Sequence, residues 1–388
     1  MSTLLKKIDL KQILYFMINK IFGLKNIIIF KGQNDFQGNA YALYEYLLKK
    51  GYDKKYKMVW NIDHYDSIKR FDHIKCEIIL ADEKNSIKKQ YYNACAKFVF
   101  YENDCPIFRR VKGQRAVYLS HGCPPIKNAT GMIDIKDEII ANALITSENI
   151  RDLMADIRKF PAEKMFVCGH PRNDAIFDQT LLYRDILEKK YKKIILWMPT
   201  FRKSNIMQYG QVRDDSEKKY IYGLPLIHEE KDLLELNNLL SDKDVLLIIK
   251  PHPRAAKEGI DKLHYSNISV WTDEYLIENN INIYRLFHDT DAMISDYSSV
   301  VFDYMLTDHP LGYIVDDINS YKLGFAYDNV QDYMPGKKIN KMDDLLGFID
   351  DISNEVDEFK EERRKINLWA NDYQDGNNCE RIVRMFDL

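Results

Sequence analysis

Ile194-Ile195-Leu196-Trp197-Met198, closed by Pro199-Thr200-Phe201-Arg202, is an apolar run that stops at a proline and opens into polar residues. Such a run, bounded by turn chemistry, reads as a strand buried on both faces, as in parallel sheets covered by helices. Residues 245–249, followed by Lys250-Pro251-His252-Pro253-Arg254, repeat the arrangement, and residues 268–270, 292–294 and 311–314 give shorter strands. Helical periodicity fills the gaps at 230–240, 282–287 and 300–306.

Upstream, residues 26–30, 58–61, 77–80, 97–101 and 115–119 read as buried strands, with helical patterns at 40–50 and 86–94 between them. The alternation halts near 175–192 and then restarts. The expected architecture is therefore α/β, with two Rossmann-like domains facing across a cleft. They span residues 26–175 and 176–388, with a helix in 1–25 ahead of them and a last helix free to pack back on the first domain. A chain of 388 residues suits two domains of ordinary size.

Composition narrows the function classes. With 46% hydrophobic and 30% charged residues the chain can bury two cores, and a net charge of −3 gives no general attraction to nucleic acid. The six cysteines lack C-x-x-C spacing, which argues against a zinc knuckle or a disulfide scaffold and for a reducing compartment. The start lacks a signal-peptide layout, and its apolar run at 13–18 falls far short of the ~20 residues that span a bilayer, so a cytoplasmic location is expected. Leu10, Ile13, Leu14, Met17, Ile21 and Leu24 recur at helical spacing among Lys6, Lys7, Lys11, Lys20 and Lys25. Two readings stand: a helix lying peripherally in an anionic headgroup layer, or one packed on its own domain. The Lys- and Glu-rich stretch 355–365 reads as a solvated helix.

Ligands of open α/β sheets bind beyond the carboxyl ends of the strands, and the candidate chemistry lies there. Ser120-His121-Gly122-Cys123-Pro124-Pro125, with Lys127 and Gly131 beyond, follows the strand at 115–119. An imidazole titrates near neutrality and can take a proton from an attacking hydroxyl, whereas a histidine that only bonds the turn backbone is the competing reading. In Gly169-His170-Pro171-Arg172-Asn173-Asp174, Asn173 or Asp174 suits the cap of the following helix, and Arg172 a cleft cation or an interdomain ion pair.

In the second half, Thr200 can donate to a phosphate oxygen and Arg202 can grip phosphate with a planar fork. Lys250, His252 and Arg254, stiffened by two prolines, suit the charge of a departing diphosphate. Ser295-Asp296-Tyr297-Ser298-Ser299 precedes a helix and offers hydroxyls and N–H groups to an anion, and Asp303 on that helix can accept from a ribose or polyol hydroxyl. Asp289-x-Asp291 reads as turn chemistry rather than a metal site. P-loop, α/β-hydrolase and zincin motifs are absent from the sequence.

In order along the chain, these motifs resemble the teichoic-acid family of CDP-glycerol:poly(glycerophosphate) glycerophosphotransferases. His121-Gly122-Cys123-Pro124 looks like the family's His-Gly-Thr-Pro, and 169–174 like its Gly-Tyr-Pro-Arg-Asn-Asp. Residues 199–202 look like its Pro-Thr-Phe/Trp-Arg, His252-Pro253 like its His-Pro, and 295–303 like its Thr-Asp-Tyr-Ser-Ser-x-x-Phe-Asp. Gly324-Phe325 and Pro335-Gly336 fit its tail. Cys123, Pro125, Ile126 and His170 depart from its pattern, the loop changes falling on the acceptor side.

The resemblance implies a GT-B-like fold that works without metal or cofactor and binds the nucleotide mainly on the second domain. It implies transfer of a polyol phosphate from CDP-glycerol, or alternatively CDP-ribitol, to a lipid-linked saccharide or polyol-phosphate acceptor, at the cytoplasmic face of the membrane. His121 and His252 would be catalytic. Gly122, Lys127, Arg172, Asn173, Thr200, Arg202, Lys250, Arg254, Asp296, Ser298, Ser299 and Asp303 would bind substrate. The rival readings are a sugar-nucleotide glycosyltransferase or epimerase on the same double fold, and a nucleotide- or carbohydrate-binding module.

Overall fold

The computed structural model describes residues 10–32, 34–64, 76–83, 86–131, 135–136, 138–178, 180, 183–187, 189–200, 203–208, 211–214, 220–252 and 259–388. The chain forms two compact units. The first comprises Met1–His121, Ile133–Asp174 and Asn377–Leu388, and the second Gly122–Met132 and Ala175–Gly376.

In chain order the first unit begins with α1 (Leu10–Phe22), β1 (Lys25–Lys31), α2 (Gly38–Lys49), β2 (Lys57–Ile62), β3 (Glu77–Leu80) and α3 (Ile87–Cys95). It continues with β4 (Ala96–Tyr101), β5 (Arg115–Tyr118), β6 (Asn142–Ile145), α4 (Arg151–Arg158) and β7 (Met165–Val167). The second unit holds β8 (Lys193–Trp197), β9 (Lys203–Gln208), β10 (Gln211–Asp214), α5 (Glu230–Asp242), β11 (Val245–Ile249), β12 (Ile268–Val270) and α6 (Asp273–Glu278). Then come α7 (Ile283–Asp289), β13 (Ala292–Ser295), α8 (Val300–Tyr304), β14 (Leu311–Ile314), β15 (Lys337–Ile339), α9 (Met342–Ser353) and α10 (Lys360–Ala370). The closing α11 (Asn378–Phe386) belongs to the first unit.

The first sheet runs β3-β2-β1-β4-β5-β6-β7 and the second β12-β11-β8-β13-β14-β15, and every pairing in both is parallel. In each, the first strand is central and the order reverses beside it, between β1 and β4 and between β8 and β13. This is the doubly wound Rossmann arrangement, with its ligand crevice at the reversal. The β9–β10 hairpin is antiparallel and stands apart from the second sheet.

Alternate strand residues feed opposite faces, as the period of two requires. Ile28, Phe30, Trp60, Phe98 and Phe100 pack with α2 and α11, whereas Ile27, Ile29, Val59 and Val99 pack with Tyr15, Ile18 and Tyr92 of α1 and α3. In the second unit Ile194, Leu196, Leu246 and Ile248 share a core with Val301, Phe302 and Tyr304. On the other face, Ile195, Trp197, Leu247 and Ile249 pack on Leu233, Leu236, Leu240, Leu345 and Ile349.

The first helix packs on its own unit through one face. Tyr15 and Ile18 are buried, while Ile13, Leu14, Phe16, Met17, Ile21 and Phe22 are exposed. The stretch read as a solvated helix differs: α10 starts only at Lys360, and Arg363 is fully buried, bonding Asp357 at 2.6 Å and the carbonyl of Asp308 at 2.8 Å. The helix expected at 300–306 is α-helical only to Tyr304 and tightens into a 3-10 turn at Met305–Thr307.

Candidate functional site

At the reversal of the second sheet, Met198 donates its N–H to Ile294 O at 2.9 Å and accepts from the Ser295 hydroxyl at 2.8 Å. One residue on, the buried carboxylate of Asp296 accepts the Thr200 N–H at 2.9 Å and also the Thr200 hydroxyl proton. The two strand ends are thus laced together. The Thr200 hydroxyl, read as a phosphate donor, is committed to Asp296. Tyr297 is buried and donates to Asp317 at 2.7 Å.

Ser298 Oγ accepts the Val300 N–H at 3.4 Å, and Ser299 makes no side-chain cap bond. The helix behind them is five residues long, so anion attraction here rests on local N–H and hydroxyl groups rather than on a long aligned dipole. Asp303 is buried within that helix. Gly122 lies directly against Ser299: a Cβ at Gly122 would stand 2.2 Å from Ser299 Oγ. The chain beyond it is tied to the same unit, with Lys127 in an antiparallel bridge to Phe325 and Asn128 N–H on Gly324 O at 3.1 Å.

Lys250 follows β11, and its ammonium pairs with Asp273 at 2.6 Å, both side chains mostly buried. Its charge is largely answered within the fold. His252 is exposed. Arg202 and Arg254 lie outside the described residues. Asp289 and Asp291, read as turn chemistry, hold distant segments instead: Asp289 accepts the Tyr183 N–H, and Asp291 accepts the Ile194 N–H at 2.7 Å and pairs with Arg184.

In the first unit, Ser120 beyond β5 is buried with φ 66°, a left-handed conformation that costs a non-glycine residue roughly 1–2 kcal/mol. Asn39 stabilises it, donating Nδ2 to Leu119 O at 3.3 Å and to Ser120 O at 3.0 Å. Arg172 donates Nη1 to His121 O at 3.0 Å, and its own N–H goes to Asn39 Oδ1 at 3.2 Å. Arg172, read as a cleft cation, therefore grips the main chain of the His121 loop. Asn173 is buried, with its N–H on His170 O at 3.0 Å.

Asp174 does not cap the helix that follows it, because residues 171–177 form 3-10 turns. Its carboxylate instead takes the N–H groups of Asn378 and Cys379 at 2.8 and 2.9 Å, satisfying two of the orphan donors of α11. Two residues of this neighbourhood were missed in the sequence. Glu102, the first residue beyond β4, is fully buried, and burial pushes its carboxyl up to about 7. A carboxylate closing the apolar run 98–101 was the available signal. Asn39, one residue ahead of the helical pattern at 40–50, offered none.

Comparison with known proteins fits this geometry. Residues 13–386 match the family model of CDP-glycerol:poly(glycerophosphate) glycerophosphotransferase. The teichoic acid poly(glycerol phosphate) polymerase of Bacillus spizizenii is 26% identical over 80% of this chain and 79% of its own length. The teichoic acid ribitol-phosphate polymerase TarL of Staphylococcus aureus is 24% identical over 95% of this chain but only 64% of its own. Among solved structures, the wall teichoic acid polymerase TagF superposes with a TM-score of 0.74 at 19% identity, covering 97% of this chain and 92% of that one. Two Rossmann-like units of GT-B type are thus shared in fold. The chain belongs to the CDP-glycerol:poly(glycerophosphate) glycerophosphotransferase family, the polyol-phosphate transferases of teichoic-acid synthesis.

Proposed function

We propose that this chain moves glycerol phosphate from CDP-glycerol to a hydroxyl of a lipid-linked saccharide or polyol-phosphate acceptor, releasing CMP. The acceptor hydroxyl gives its proton to the imidazole of His121 as its oxygen attacks the phosphorus that carries the glycerol. The bond from that phosphorus to the bridging oxygen breaks, and CMP leaves with the electron pair. His252, Arg202 and the Ser298–Ser299 turn neutralise the charge that develops, each such donor worth roughly 3 kcal/mol.

The observation that carries this reading is the seat of Gly122 on Ser299. The residue after His121 rests on the turn at the reversal of the second sheet, where an open α/β sheet takes its ligand. CDP-ribitol is the second reading, supported by the likeness to TarL over 95% of this chain. The enzyme works at the cytoplasmic face of the membrane. The exposed apolar residues of α1, with Lys20 and Lys25 exposed beside them, support that placement.

The test offers CDP-glycerol, CDP-ribitol and UDP-sugars in turn to the pure protein with a short lipid-linked acceptor, and weighs the product. CMP release with one CDP-polyol is expected, and His121→Ala should lower turnover at least about 100-fold while CDP-glycerol still binds. Release of UDP, or full turnover by His121→Ala, overturns the proposal.

A further inference from the structure

The first unit has its own reversal, between β1 and β4, and α2 begins beside it. In a doubly wound sheet the start of that helix is the usual seat of a nucleotide phosphate. Here the seat is filled from within. Glu102 is fully buried there, and its Oε1 accepts the N–H of Ala40 at 2.8 Å. Gly38, at φ 74°, allows the close approach: a Cβ there would meet the two carboxylate oxygens at 2.5 and 2.6 Å. The first turn of α2 is thereby anchored to the end of β4.

From that anchored turn Asn39 reaches the end of β5, gripping the carbonyls of Leu119 and Ser120 and receiving the N–H of Arg172. Arg172 completes the grip on the carbonyl of His121 at 3.0 Å. Its guanidinium charge also acts on Glu102, partly offsetting the upward push of burial on that carboxyl. These bonds go to three consecutive main-chain oxygens, so they fix the Cα from which the imidazole projects. Displacing a catalytic group by ~1 Å can cost on the order of 100-fold in rate.

We propose that Asn39 and Arg172, anchored through Glu102, are positioning residues that aim the imidazole of His121. The inference rests on the reading of His121 as the general base.

The test uses the full chain with CDP-glycerol and acceptor, comparing Asn39→Ala, Arg172→Ala and Arg172→Lys. Two readouts are taken: steady-state kinetics, and the rate at which diethyl pyrocarbonate modifies His121, located by mass spectrometry. Asn39→Ala and Arg172→Ala should each lower kcat about 30- to 100-fold, with KM for CDP-glycerol within about twofold of the parent. Arg172→Lys, which keeps a donor, should recover part of the loss. The modification rate at His121 should shift at least about threefold in both alanine variants. An unchanged modification rate in folded variants, or a loss confined to KM, overturns the proposal. If Arg172→Ala does not fold, Asn39→Ala and Arg172→Lys are judged by the same readouts. Full turnover by His121→Ala would sink the base reading alone, since the modification rates still decide whether the imidazole is aimed.

Discussion

Gly122 carries no side chain at the one place where a methyl group would strike the Ser299 hydroxyl. Ser299 can rotate its Oγ away, so Gly122→Ala should fold, with the hydroxyl re-aimed. We expect kcat/KM to fall about tenfold, and to fall much less when the same change is made in a Ser299→Ala background. Equal losses in the two backgrounds would show that the contact does not matter. Glu102 bears on stability. Its folded-state pKa of about 7 lies above the ordinary carboxyl value of roughly 4.3. The stability it lends is full below that ordinary value and is lost as pH rises through about 7. Glu102→Gln lacks this slope. From pH 5 to 8 the parent should lose about 3 kcal/mol relative to the variant, read from urea midpoints. Parallel pH profiles would mean that the carboxyl is not perturbed.

Helix α1 has one buried face and one exposed apolar face. Tyr15 is fixed inward, donating to Arg109 O at 2.9 Å and Gln114 Oε1 at 3.1 Å and packing on Phe108 at 4.6 Å. Met17 and Ile21 project outward, 54% and 69% exposed. Replacing both by Asp should reduce sedimentation with phosphatidylglycerol-containing vesicles by about tenfold or more, since each apolar side chain is worth roughly 1.5–3 kcal/mol when buried. Turnover on a soluble acceptor should not change. A parent protein that ignores anionic vesicles would refute the membrane reading. In contrast, α8 bears on the site through its start rather than its length, because five helical residues align little dipole.

Across the molecule, what the sequence revealed tracks what parallel sheets require. Central strands such as β8 and β11 are buried on both faces and must be apolar throughout, so they stand out from single residues alone. Strands β6, β9, β10 and β15 escaped notice, and β15 offers a single apolar residue behind two lysines. The candidate site was legible to the same degree. Residues at strand ends, such as His121, Thr200 and Asp296, are marked by where the apolar runs stop. The bonds among them are not, because Asn39 meets Arg172 across 133 positions and Thr200 meets Asp296 across 96. Pairings of that reach depend on strand order, which local pattern does not encode.

The cap that Asp174 provides has a consequence for biosynthesis. Residues 377–388 supply Cys379, Ile382, Phe386 and Leu388 to a core otherwise built from residues 28–168. A ribosome therefore has to translate the whole second unit before the first can close. During that interval the apolar surface awaiting α11 lies open, and the nascent chain is most vulnerable to aggregation in the half that emerged earliest.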